Sequence, residues 1–170
     1  TEFATSGGYT IPVFSPSTAA ECFDLTVHAF NWAERLRTPV VLLSDKEVGM
    51  TTEVVDDEAL APPTVVERHR FVGHADFQTY GFAAPEEVPA FAAVGDDVKV
   101  TVTGSAHDQQ GRLRKNTPEV IEVLQHLERK IAAHAEEMEL VRADLDPGAP
   151  SLVISYGITA RAARQAVAAL

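Results

Sequence analysis

The spacing of apolar residues changes period several times along this chain. Residues 9–15 (Tyr-Thr-Ile-Pro-Val-Phe-Ser) read as a short strand closed by Pro16. Thr18-Ala-Ala-Glu21 has the spacing of a capping box, in which hydroxyl and carboxylate each reach a backbone N–H that the helix leaves unpaired. Phe23, Val27, Phe30, Ala33 and Leu36 follow at steps of three and four, which predicts an amphipathic helix over 18–37, stopped by Pro39. Val40-Val-Leu-Leu43 is a continuous apolar run, the pattern of a strand covered on both faces. Strand, helix and strand with short links predict a βαβ unit with parallel pairing.

Periodicity then fades. Residues 46–97 carry Pro62, Pro63, Pro85 and Pro89 beside Gly49, Gly73, Gly81 and Gly95, which predicts an extended connection with short strands. A connection this long is natural on the surface between two domains. Val98-Lys-Val-Thr-Val-Thr103 alternates and is β-branched, so a half-buried strand is expected there, followed by a polar turn over 104–111. Thr117-Pro118-Glu119 starts a helix with a hydroxyl cap, proline at the first position and an acid in the first turn. Val120, Leu124, Leu127, Ile131, His134, Met138 and Val141 continue as a narrow seam, predicting one long helix over 117–142. Asp146-Pro-Gly-Ala-Pro150 is a linker, 151–156 (Ser-Leu-Val-Ile-Ser-Tyr) a buried strand, Gly157 a turn, Thr159 a cap, and Ala160–Leu170 a helix.

Two assemblies fit these elements. One mixed sheet could join 9–15, 40–45, 98–103 and 151–156. Alternatively, the chain holds parts of two open, mainly parallel-sheet α/β domains, 1–48 and 147–170, with 49–146 as the connector. Neither the first βαβ unit nor the last strand and helix can cover both faces of a parallel strand or pair both its edges. Either the chain packs against other chains or it is a piece of a longer polypeptide, and the piece is the expectation.

Composition narrows the function. The 170 residues are 45% hydrophobic, enough for a core, and 14 basic against 25 acidic side chains give a net charge of −11. Such a surface repels nucleic-acid phosphates and anionic membranes. The single Cys22 excludes an internal disulfide and a self-contained iron–sulfur cluster, and fits a cytoplasmic chain. Asp45 closes the Val40–Leu43 strand at its carboxyl end, where open α/β sheets bind ligands, and is the candidate cofactor contact. His107 and Asp108, adjacent in a polar turn, are the candidate catalytic pair. His69 and His74 with Arg68, Arg70 and Asp76 form a smaller basic patch. His126 and His134 are eight apart, too far to share a metal on one helix, and no metal site is expected. Phe30, Trp32 and Cys22 read as packing residues.

Three segments, in order, carry a family resemblance. Ala29-Phe30-Asn-Trp-Ala33-Glu34 leading into Thr38-Pro39-Val-Val-Leu-Leu-Ser-Asp45 resembles an "AFxxAE" helix and "PVxxLSD" strand. Val102-Thr-Gly-Ser-Ala-His107-Asp108-Gln-Gln-Gly111 resembles a "TGxxHDxxG" turn. Ser155-Tyr156-Gly157-Ile-Thr-Ala-Arg161-Ala-Ala-Arg-Gln-Ala166-Val167 resembles a "YGxxxRxAxxAV" opening. All three are similar to stretches in alpha subunits of 2-oxoacid:ferredoxin oxidoreductases. The resemblance implies the closing part of a pyrimidine-binding domain for thiamine diphosphate, a connector, and the start of a transketolase C-terminal-like domain. It implies a beta subunit that carries the diphosphate–magnesium site and a 4Fe-4S cluster. The implied reaction converts a 2-oxoacid and coenzyme A to acyl-CoA, carbon dioxide and reduced ferredoxin, with flavodoxin as an alternative acceptor, in a heterodimer or heterotetramer. The acid that assists the cofactor's aminopyrimidine has no counterpart in a matching context here, so the chain alone is expected to be inactive. Two other readings stand beside this one: a non-catalytic docking subunit of the same fold, and an unrelated small-ligand α/β domain.

Overall fold

A computed structural model describes residues 9–56, 60, 64–74 and 76–169. Pro62, Pro63 and Leu170, which figure in the predicted connection and last helix, lie outside the described residues. The elements in chain order are β1 (Val13–Phe14), α1 (Ala19–Leu36), β2 (Val41–Leu42), α2 (Lys46–Met50), α3 (Pro118–Ala132), α4 (Ala135–Met138) and α5 (Gly157–Ala168). Two compact units interleave along the chain. One holds Trp32–Pro39 and Val66–Glu139, the other Pro12–Asn31, Val40–Val65 and Leu140–Leu170.

The predicted βαβ unit forms, on a short sheet. β1 and β2 pair in parallel with Val13 opposite Val41 and Phe14 opposite Leu42. The Val41 amide donates to the Pro12 carbonyl and the Leu43 amide to the Phe14 carbonyl. Phe14 is buried, with the His28 ring edge-on at 4.9 Å. The strand expected over 9–15 is thus confined to two residues, because only these face a partner.

The start of α1 obeys its capping signal with one change. Thr18 Oγ1 accepts from the Glu21 amide at 3.0 Å, as predicted. The Glu21 carboxylate turns outward by one residue and takes both the amide and the hydroxyl of Ser17, each at 2.7 Å. The buried face differs from the predicted stripe. Ala29, Trp32 and Leu36 are buried, whereas Phe23 is 45% and Phe30 67% exposed. Phe30 is therefore not a packing residue among the described residues, while Trp32 is.

In the other unit, α1 ends against a buried amine. Arg37 takes a positive φ of 49°, and Lys130 Nζ donates to the carbonyls of Leu36 at 2.8 Å and Arg37 at 3.3 Å. These are carbonyls that a helix C-terminus leaves unpaired. Arg37 extends the arrangement by donating to the carbonyls of Thr79 and Ala90. Lys130, with His126, sits on the buried face of α3 beside Val120, Val123 and Ile131. His126 lies flat on Phe82 at 3.7 Å and its Nε2 meets the Glu87 carbonyl at 2.7 Å. Polar side chains with fixed partners therefore help choose which face of α3 is covered, and Leu124, a seam residue by periodicity, is 37% exposed.

Several predicted elements are corrected. The helix over 117–142 stops at Ala132, and α4 is a separate single turn. The break at His134 lets Glu137 bond both His134, at 2.8 Å, and Arg35. Those two partners hold the Glu137 carboxyl down to about 2. Pro118 opens α3 as expected, but the Thr117 hydroxyl makes no cap bond. Residues 98–103 form no strand. The Thr101 amide goes to the Thr79 hydroxyl and the Thr103 hydroxyl to the Gly111 carbonyl, so side chains take the place of a ladder. Residues 151–156 form none either. Leu152, Val153, Ile154 and Tyr156 are 67–85% exposed, with no neighbouring strand among the described residues. The four-stranded mixed sheet is absent, and 46–97 contributes α2 and one isolated bridge, Arg70 with Phe91, in place of short strands.

Burial lowers the Lys130 amine to about 8, with the nearby Arg37 charge adding to the effect. Between pH 8 and the ordinary lysine value of 10.5, the unfolded chain binds the proton that the folded chain has released, so folding gains stability as pH rises. Chemical denaturation from pH 7 to 10.5 should show the protein gaining up to about 3 kcal/mol from this group. Lys130→Met should lack that increment.

Candidate functional site

Two clusters gather the residues that the sequence singled out, one in each unit. The first lies at the carboxyl ends of β1 and β2. Ser15 follows β1 and donates its hydroxyl to the Leu43 carbonyl at 2.9 Å. Asp45 follows β2, and its Oδ2 accepts from the Ile158 amide, the second residue of α5, at 2.7 Å. The carboxylate thus caps the N-terminus of a helix 113 residues later, where the dipole favours negative charge. α5 begins at Gly157, not at Ala160, and Thr159, the expected cap, lies inside the helix. Gly157 has φ +58°, and a Cβ there would overlap Asp45 Oδ2 and press on Ser15 Oγ. The Ser44-Asp45 and Tyr156-Gly157 segments of two separate motifs therefore meet.

Arg161, one turn along α5, belongs to the same cluster. It donates to Glu53 at 2.6 Å and to the Ser17 carbonyl. Glu53 in turn accepts from the Ala19 amide at 3.0 Å, at the start of α1. That amide and the Arg161 guanidinium hold the Glu53 carboxyl below the usual range. A cavity of about 640 Å³ opens beside these groups, lined in part by Thr18, Asp24, Glu53 and Arg161. Arg161 stood in a quoted motif. Glu53 sits in a segment without periodicity, and no local signal marked it.

The second cluster is the turn around His107 and Asp108. Asp108 is buried, and Oδ1 accepts from the amides of Gln110 at 3.1 Å and Arg112 at 3.0 Å, while Oδ2 accepts from Arg114 Nε at 3.0 Å. Burial pushes this carboxyl up, but the Arg112 and Gln110 amides and the Arg114 guanidinium outweigh it and hold it below the usual range. Gly111, φ +79°, closes the turn where a Cβ would overlap the Thr101 carbonyl. Asp108 does not orient His107. The imidazole stacks on Tyr80 at 4.0 Å, and its Nδ1 lies 3.1 Å from the Asp108 carbonyl. A carbonyl only accepts, so Nδ1 carries the hydrogen and Nε2 keeps its lone pair when the ring is neutral.

The remaining candidates have structural partners. Arg68 pairs with Glu34 and lies over Phe91 at 4.1 Å, and exposed His74 reaches Asp97 only at 3.9 Å. His126 and His134 have separate partners. Cys22 is half-buried. Among the described residues no three His, Cys, Asp or Glu side chains could hold a metal ion. No helix among them is long and apolar enough to cross a membrane.

A parallel βαβ unit with an acid at the strand end that caps a later helix places the chain among α/β proteins. The family model for the thiamine-diphosphate-binding part of pyruvate flavodoxin/ferredoxin oxidoreductases matches residues 3–126, and the chain belongs to that family. It is 34% identical over 167 residues to the 2-oxoglutarate synthase subunit KorA of Methanothermobacter thermautotrophicus, covering 97% of this chain and 44% of that protein. The KorA subunit of Methanothermobacter marburgensis is 38% identical over 170 residues with the same coverage. The ketoisovalerate oxidoreductase subunit VorB of Methanothermobacter thermautotrophicus is 29% identical over 161 residues, covering 95% of this chain and 38% of that protein. The chain thus spans somewhat under half the length of these relatives.

The Asp45 cap makes a graded prediction. Asp45→Asn keeps an acceptor and should cost little, whereas Asp45→Ala should cost about 1 kcal/mol in urea denaturation, the usual loss of a cap. Gly157→Ala should cost more than Asp45→Ala, because it adds a positive-φ penalty to the overlap. At the second cluster, Asp108→Ala leaves two amides and a guanidinium unpaired and should cost about 1–3 kcal/mol.

Proposed function

We propose that this chain is part of the alpha subunit of a thiamine-diphosphate-dependent 2-oxoacid:ferredoxin oxidoreductase. The observation that carries the reading is the family match over residues 3–126, joined to near-complete coverage of this chain by two 2-oxoglutarate synthase subunits. The reaction is oxidative decarboxylation of a 2-oxoacid with coenzyme A, giving acyl-CoA, carbon dioxide and two reducing equivalents for ferredoxin or flavodoxin. The setting is cytoplasmic, in a heterodimer or heterotetramer with a beta subunit.

Thiamine diphosphate supplies the electron sink that decarboxylation of a 2-oxoacid needs. The described residues do not fit the whole of that group. They offer no set of carboxylates or histidines for magnesium, and the Asp45 carboxylate is spent on the Ile158 amide. The diphosphate, its magnesium and the 4Fe-4S cluster belong to the beta subunit. This chain's contribution is a wall of the cofactor interface. Asp45 acts there by seating α5 behind the strand ends. His107, with its Nδ1 bonded, is the side chain here best prepared to meet substrate or cofactor through Nε2. In domain terms, 1–48 belong to the pyrimidine-binding part, 49–146 to a connector, and 147–170 open the transketolase-like part.

The test is co-expression of the full-length alpha subunit with its beta subunit. The heteromer should reduce viologen only with both a 2-oxoacid and coenzyme A present, and neither subunit should do so alone. An intact heteromer without that activity, offered 2-oxoglutarate, pyruvate and 2-oxoisovalerate in turn, would establish the docking-subunit reading instead.

A further inference from the structure

Residues 79–91 form a strap that is fastened at its ends by one basic group and in its middle by another. Arg37 holds the ends, donating to the Thr79 carbonyl at 2.5 Å and the Ala90 carbonyl at 3.1 Å. A guanidinium does not titrate near neutral pH, so these fastenings are permanent. His126 of α3 holds the middle. Its ring is 2% exposed, lies flat on Phe82, and places Nε2 at 2.7 Å from the Glu87 carbonyl. A carbonyl only accepts, so Nε2 carries the hydrogen, and a second proton would go to Nδ1 and charge the ring. The groups around the ring do not balance that charge. Lys130, buried one turn further along α3, is a cation beside it, and Arg37 is a second cation beside Lys130. Glu87 spends its carboxylate on the Ala83 and Ala84 amides, and Glu122, one turn earlier on α3, is exposed. His69, also exposed, acts on Glu87.

We propose that His126 is an acid-released latch: taking up a proton frees residues 82–87 from α3, while Arg37 keeps the ends of the strap in place. A buried imidazolium needs hydration, and water reaches this ring when Phe82 lifts away. Burial first, and Lys130 after it, hold the ring below its ordinary value of 6.5, against the opposing pull of the Glu87 carbonyl and of the Glu87 and Glu122 charges. The closed state therefore keeps the ring neutral and the open state binds the proton, so opening gains as pH falls below about 6.5. The Ala83 and Ala84 amides hold the Glu87 carboxyl below its ordinary 4.5, so it stays ionised at pH 5.5 and takes no part in the release. The opening reaches the His107 turn through Gln109. Its side-chain oxygen accepts from the Phe82 amide at 3.2 Å and its main-chain carbonyl from the Tyr80 amide at 2.9 Å. The inference does not rest on the proposed oxidoreductase activity, since it concerns conformation alone.

The test is hydrogen–deuterium exchange of the full-length subunit at pH 7.5 and pH 5.5, with each amide's rate normalised to its unfolded rate at that pH. Protection over 82–87 should fall severalfold at the lower pH, with a ceiling of about tenfold for one group that ordinarily titrates at 6.5. His126→Gln keeps an N–H for the Glu87 carbonyl and cannot titrate, so its protection over 82–87 should be the same at both pH values. His69→Gln should keep the response of the unaltered protein. The His126 ring resonance, followed by NMR in the unaltered protein, should titrate below 6.5. Equal protection over 82–87 at the two pH values, an undiminished response in His126→Gln, or titration of His126 at or above 6.5 would each overturn the proposal. The first and third of these need no variant, so the proposal stays open to refutation even where His126→Gln does not fold.

Discussion

Carboxylates bonded to backbone amides are the joints of this chain. Asp45 takes the Ile158 amide, Glu53 the Ala19 amide, Glu21 the Ser17 amide, Asp108 those of Gln110 and Arg112, and Glu87 those of Ala83 and Ala84. With only a two-residue parallel ladder among the described residues, most amides outside helices need another acceptor. A charged acceptor gives a stronger bond than a neutral one. The cost is electrostatic. Glu53, Glu87 and Asp108 are held in their ionised form by these amides and nearby cations, so the fold is tied to their remaining deprotonated. Acidity that composition presents as a solvated surface is in part internal scaffolding.

The same joints account for where the chemistry-bearing residues sit. Asp45 and Gly157 are 112 positions apart, and neither motif alone says that they touch. Once the carboxylate is placed at the end of β2, the helix that lacks its own cap has an acceptor waiting, and only glycine leaves room for the approach. In the other unit, Asp108 spends its carboxylate on the turn, which leaves His107 oriented by a carbonyl and by Tyr80. The adjacent pair taken as a catalytic candidate is a turn organiser beside a stacked ring. The buried cation has a parallel role. Lys130 closes the end of α1 from a distant helix, taking carbonyls just as the acids take amides.

Membership of the oxidoreductase family was legible because three short motifs occur in order across most of the chain. The motifs carried turn chemistry that holds locally: the Thr18 hydroxyl caps α1, Gly111 closes its turn, and Pro118 opens α3. The buried faces were not legible in the same way. An amphipathic period states that one side of α1 is apolar, yet Ala29, Trp32 and Leu36 are covered and Phe23 and Phe30 are not, since the neighbours choose the face. The segments 98–103 and 151–156 have strand composition, but a ladder needs a second strand, which a single segment cannot supply.

Local signals by themselves determined the parallel βαβ unit, the starts of α1 and α3, the acidic character and the family. These depend on contacts within a few residues or on chemistry written in order along the chain. Tertiary structure alone decided that Asp45 caps α5, that Glu53 joins α1 to Arg161, and that Lys130 ends α1. Each of these bonds closes a loop of 34 to 113 residues, and the partner's identity follows from where the chain returns in space. Sequence spacing holds no record of that return, because a charged side chain far along the chain looks the same whether it ends in water or on an unpaired amide.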